Sequence, residues 1–109
     1  VNWPLPTDSE VVWSKFIAYL MAGVPEFRLE DQTRVDILLP TAAVEVEWCK
    51  CWKSGIGQAL HYAIHTNRQP VLMLLTRGKP REVEYIRSAM AACQRAGVTL
   101  LTWPTRRLS

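Results

Sequence analysis

Three carboxylates crowd one stretch of the chain, RVDILLPTAAVEVEW, at Asp36, Glu45 and Glu47. Val35 and Ile37 alternate with Arg34, Asp36 and Leu38, the two-residue period of a half-buried strand, so Asp36 points away from its apolar neighbours. After a turn at Pro40 and Thr41 the alternation resumes, with Val44, Val46 and Trp48 on one face and Glu45 and Glu47 on the other. A hairpin through that turn brings Asp36 beside both glutamates. Three anions at such spacing raise one another's pKa unless a cation sits among them. A hard divalent ion such as Mg²⁺ or Mn²⁺ suits an all-carboxylate set, and it activates water and stabilises charge on a transferring phosphate. The other reading of the same alternation makes Glu45 and Glu47 the solvated face of an edge strand.

The next helix is expected from Trp52 to Thr66. Trp52, Ile56, Ala59, Leu60, Ala63 and Ile64 form its apolar stripe, and Gln58, Tyr62 and His65 lie opposite. An amide and a phenol one turn apart can hydrogen-bond a phosphate oxygen or a water. Asp36, then Glu45-Val46-Glu47, then Gln58-Ala59-Leu60-His61-Tyr62 together resemble the PD-(D/E)XK nuclease superfamily. Its motif is an Asp, an E-x-K or variant, and often Q-x-x-x-Y on the following helix. The words TRVD, AVEVEW and GIGQALHYA are similar to those of small phage and bacterial members.

That resemblance implies a restriction-endonuclease-like core acting on DNA. Asp36 and Glu45 would hold the metal, and Gln58 and Tyr62 would form a polar pair near the scissile phosphate. Glu47 departs from the pattern, since most members carry lysine there; it would serve as a third ligand or as the base that orients the attacking water. Lys50, then Lys53, could reach in from neighbouring positions, against their ordinary place as solvated loop charges. In some members a glutamate from the first helix completes the site, which here would be Glu10. Thr7-Asp8-Ser9-Glu10 also reads as a capping box that occupies Glu10 at its own helix end, and this second role is preferred.

The elements that must position these residues follow from the pattern. Residues 1–6 are a Pro-broken arm. The first helix starts at Thr7 or Asp8, buries Val12, Phe16, Tyr19 and Leu20, and ends at Gly23 and Pro25. Glu26 to Glu30 alternates as a strand, so that strands two and three complete an antiparallel meander. The continuous apolar run Val71 to Leu75 predicts a strand buried on both faces and paired in parallel. Pro80 opens a third helix that buries Val83, Ile86, Met90 and Cys93 and closes at Gly97. Val98 to Leu101 is a final strand before a basic tail at Arg106 and Arg107. The order αβββαβαβ predicts one α/β domain, residues 1–109, with a central mixed sheet flanked by helices.

The 109 residues suffice for one core, and an apolar fraction of 49% argues against disorder. A net charge of +3 around an acidic site suits a polyanion such as DNA. A nuclease this small would gain footprint as a homodimer. Three cysteines exclude a full disulfide framework, no apolar run could span a bilayer, and no signal peptide is read before the first helix, which predicts a cytoplasmic protein, host- or phage-encoded. Gly55-Ile56-Gly57 is too short for a nucleotide fingerprint, so no nucleotide cofactor is expected. Cys49-Lys50-Cys51 is a weak zinc pair, with His61 or His65 as further ligands. Trp48 and Trp52 belong to the core; Trp3, Trp13 and Trp103 serve a dimer seam, a base-stacking platform or simply the packing of the chain ends, the last being preferred. Two rivals to a nuclease stand: an inactive DNA-binding or assembly subunit of the same fold, and a protein-interaction module.

Overall fold

The computed structural model describes residues 2–106. Val1 and Arg107, assigned above to the arm and the tail, lie outside the described residues. Helix α1 (Glu10–Leu20) leads into strands β1 (Val24–Arg28), β2 (Arg34–Leu38) and β3 (Ala42–Trp48). A 3-10 turn, Cys49–Cys51, then opens helix α2 (Trp52–Thr66), followed by strand β4 (Gln69–Thr76), helix α3 (Glu82–Ala96) and strand β5 (Thr99–Pro104). The five strands form one mixed sheet in chain order, antiparallel from β1 to β3 and parallel from β3 to β5. The chain is thus a compact α+β domain, and no described helix is long and apolar enough to cross a membrane.

Two apolar layers sandwich the sheet. Trp13, Phe16 and Ile17 of α1 pack on Ile37, Val44, Val46, Val71, Met73 and Leu75. Ala59 of α2 and Ala89 and Cys93 of α3 pack on Leu72 and Leu74. The β4 residues alternate between the two layers, which is why that strand reads as an unbroken apolar run. β3 is the middle strand, so the edge-strand reading of Glu45 and Glu47 fails: Glu45 is 2% exposed.

Three helical phases differ from those expected. In α1, Val12, Tyr19 and Leu20 face solvent, while Trp13 takes the core position and its indole N–H donates to the Leu5 carbonyl at 3.0 Å. In α2, Ile64 is 77% exposed and Tyr62 is buried among Leu29, Val35, Leu38 and Ala43, so Tyr62 lies on the sheet side and not opposite it. In α3, Val83 and Met90 are exposed and Glu82, Ala89 and Cys93 are buried. The cause is Glu82, whose carboxylate accepts the Arg77 and Lys79 backbone N–H groups at 2.9 Å and so fixes the rotation of the helix. Pro80 accordingly precedes α3 as part of that turn.

Strand bounds also shift. β1 begins at Val24 because Ala22 turns in the left-handed region, and Gly23 slides beneath Ile37, where a Cβ would lie 2.6 Å from its Cγ2. Pro25 is tolerated there because β1 is an edge strand. β5 extends to Pro104, beyond the expected Leu101, as Trp103 stacks on Trp3 with ring centroids 6.1 Å apart. Trp3 also meets Phe16 and Trp13 edge-on. The three terminal tryptophans therefore tie the chain ends together rather than present a platform. Trp48 and Trp52 are both half-buried at the margin of the core.

Candidate functional site

β2 and β3 pair antiparallel with Ile37 opposite Val44 and Leu38 opposite Ala43. Beyond Ile37, the Asp36 carboxylate accepts the Val46 backbone N–H at 2.7 Å. On the other side, the β1–β2 register runs through Pro25↔Ile37 and Phe27↔Val35 and skips Glu26 and Asp36. Glu26 sits at that gap with φ of 53°, a left-handed conformation uncommon for a residue with a side chain.

The gap collects acids. The Glu45 carboxyl donates a hydrogen bond to Asp36, and the Glu10 carboxyl, from the first turn of α1, donates one to Glu47. Burial is the main reason that Glu45 is pushed up to about 11, with Asp36, Glu10 and Glu47 adding to it. Glu10 rises to about 9, first through burial and then through Glu47, Asp36 and Glu26. Burial also raises Asp36, against the bonds from Glu45 and Val46 that favour its ionised form. Among the described residues no lysine or arginine forms an ion pair with any of these acids.

Glu10 is thus drawn to the acids and not to a cap. The N-cap is Ser9, whose hydroxyl accepts the Val12 N–H at 3.3 Å, two residues later than the expected Thr7. Glu26 is placed by the sequence pattern at the start of a strand but not among the acids of the site. Its signal is a backbone angle, which no residue pattern carries. Gln58 and Tyr62 do come together, with the Tyr62 hydroxyl donating to Gln58 Oε1 at 3.2 Å. Burial first, then Glu45, Asp36 and Glu10, raise the Tyr62 phenol, so Tyr62 overlooks the same acids.

Close approach of α2 depends on Gly55. A Cβ there would lie 2.7 Å from Leu72 Cδ1 and 3.6 Å from Glu47 Cβ. Leu72 is fully buried and has nowhere to move. Gly55→Val is expected to cost about 1–3 kcal/mol in urea unfolding, with α2 pushed off Glu47.

The two lysine candidates turn elsewhere. Lys53 Nζ lies 5.6 Å from the centre of the Trp52 ring. Lys50 lines a cleft with Arg77, Lys79 and Arg81, beside Trp48, Tyr85 and Glu82. In that cleft the Arg77 guanidinium lies 3.6 Å from the centre of the Trp48 ring. Cys49 faces the same region, buried, with its thiol donating to Glu82 at 3.1 Å. Burial and then Glu82 push that thiol up to about 12, and its hydrogen bond ties Cys49 to Glu82 rather than to Cys51.

The acid cluster offers only hard oxygen donors, the set that suits Mg²⁺ or Mn²⁺. Its acid–acid hydrogen bonds hold protons at positions where a cation would bring positive charge instead. The acids meet in pairs: the group of three whose ligand atoms all lie within 4.8 Å of one another, among the described residues, is Asp31, His61 and His65. No protein-family model, no curated protein and no solved structure matches the chain, so its own geometry carries the functional argument.

Proposed function

We propose that the chain is a Mg²⁺- or Mn²⁺-dependent nuclease with a restriction-endonuclease-like core, hydrolysing phosphodiester bonds in DNA. One observation carries the reading. Glu10, Asp36, Glu45 and Glu47, from three separate elements, meet as hydrogen-bonded acids, and among the described residues no lysine or arginine is paired with any of them. A structural role alone gives no reason to hold so many carboxylates together against burial.

A bound divalent ion would supply charge neutralisation at the phosphate and a more acidic water. Asp36, Glu45 and Glu47 would hold it, with Glu10 beside them. Tyr62 and Gln58, already hydrogen-bonded to each other, orient a phosphate oxygen at the edge of the acids. Lys50, Arg77, Lys79 and Arg81 receive the DNA backbone in the cleft beside Trp48, the residue that follows Glu47. The groove between α3 and β5, with Met90 and Leu101 exposed, supports a homodimer seam better than the tied chain ends do.

The second reading, a DNA-binding or assembly subunit without catalysis, is favoured by one fact: neither Lys50 nor Lys53 pairs with an acid of the cluster. The test is cleavage of linear, circular single-stranded, duplex and four-way-junction DNA with Mg²⁺, Mn²⁺ or EDTA, beside Glu45→Gln. Metal-dependent cleavage lost in the variant supports the nuclease. Retention of DNA without cleavage under any metal replaces it with the second reading.

A further inference from the structure

On α2, His61 and His65 stand one turn apart, and their rings approach to 4.4 Å between centroids. Asp31 comes from the turn between β1 and β2, and its Oδ2 lies 2.7 Å from His61 Nε2. Thr33 holds that carboxylate from behind: its backbone N–H donates to Asp31 Oδ1 at 3.0 Å, and its hydroxyl donates to the same oxygen. These Thr33 bonds are the main reason that Asp31 is held down to about 2, so it stays ionised. His65 hydrogen-bonds to no described residue, and the ligand atoms of the trio all lie within 4.8 Å. Neither the acid cluster nor the basic cleft uses any of the three.

We propose that Asp31, His61 and His65 form a binding site for a divalent transition-metal ion of the zinc class, separate from the carboxylate cluster. Two imidazoles, borderline donors, beside one hard carboxylate select Zn²⁺, Co²⁺, Ni²⁺ or Cu²⁺ over Mg²⁺. An oriented carboxylate is what such a site needs, because a partner that fixes the ligand preserves the geometry between binding events. All three side chains reach solvent, which leaves an entry path and room for a water as fourth ligand. The ion would staple the β1–β2 turn to α2, so binding is visible as thermal stabilisation.

The experiment titrates Zn²⁺ into the chelator-treated full chain by calorimetry, with Co²⁺ absorption and thermal melts alongside and Mg²⁺ as control. His65→Ala is the main variant, since an exposed side chain can go without harm to the fold; His61→Ala, Cys51→Ser and Glu45→Gln complete the set. One Zn²⁺ per chain is expected, with affinity weakened on the order of 10–100-fold or more in each histidine variant. Cys51→Ser and Glu45→Gln should leave it unchanged. Absence of Zn²⁺ binding, wild-type affinity in both histidine variants, or loss of binding in Cys51→Ser or Glu45→Gln would each overturn the site.

Discussion

Glu45→Gln is expected to reduce metal-dependent DNA cleavage by roughly 10³-fold or more while leaving the fold intact. The loss follows from removing a carboxylate that would hold the ion: a few kcal/mol of charge stabilisation at about 1.4 kcal/mol per factor of ten. The fold is spared because the buried Glu45 carboxyl is already a neutral donor to Asp36, and a glutamine amide donates in the same place. Asp36→Asn should lose as much, although it also weakens the bond to the Val46 amide. Tyr62→Phe and Gln58→Ala, which touch no ion, should fall about tenfold, the scale of one hydrogen bond to a charged group. Single-turnover cleavage with matched melting curves separates chemistry from folding. Undiminished cleavage by Glu45→Gln sinks the nuclease reading.

The second large effect is on stability, and it has a definite sign. Glu10 and Glu45 keep protons in the folded chain up to about 9 and about 11, whereas unfolding returns each to the ordinary value of 4.5. Between those limits the folded state binds more protons than the unfolded one, so stability is full below about pH 4.5 and falls as pH rises. One pKa unit is about 1.4 kcal/mol; Glu10 is half-exposed, so its share is screened, and a loss of several kcal/mol between pH 5 and 9, most of it from the buried Glu45, is expected without metal. Mg²⁺ or Mn²⁺ replaces those protons and should restore about 2–3 kcal/mol at pH 8 when present at 100 times its dissociation constant. Glu82 acts in the opposite direction. Burial opposes its ionisation, yet the Arg77 and Lys79 amides hold it low, and its contribution is lost as pH falls below 4.5. Urea unfolding across this range, with and without metal, reads both limbs. A metal-free stability that climbs from pH 5 to 9 would contradict the acid cluster.

The order of elements and the antiparallel-then-parallel pairing were legible because two-residue alternation and an unbroken apolar run report burial directly. The meeting of Asp36 with Glu45 followed from that same alternation. What the residue types left open was rotation and rank. Val12 and Val83 suit a core position as well as Trp13 and Glu82 do by spacing, and the choice falls to bonds with distant partners, Leu5 and the Arg77 turn. The place of β3 in the middle of the sheet depends on β4 and β5 adding to its far side, so local pattern allowed an edge as readily. By spacing, Thr7-Asp8-Ser9-Glu10 reads as a capping box that occupies Glu10, and the two-residue shift of the cap to Ser9 changes what Glu10 faces.

The bond between Cys49 and Glu82 also decides how the chain meets oxidants and electrophiles. A thiol held near 12 presents almost no thiolate at neutral pH, and burial alone raises Cys93 as well. Both are sealed inside the fold, while Cys51, half-exposed at the start of α2, is open to reagents. A maleimide dye should therefore label the native protein once, at Cys51, close to the strand that carries Glu47. That gives a reporter beside the acids without any engineered residue.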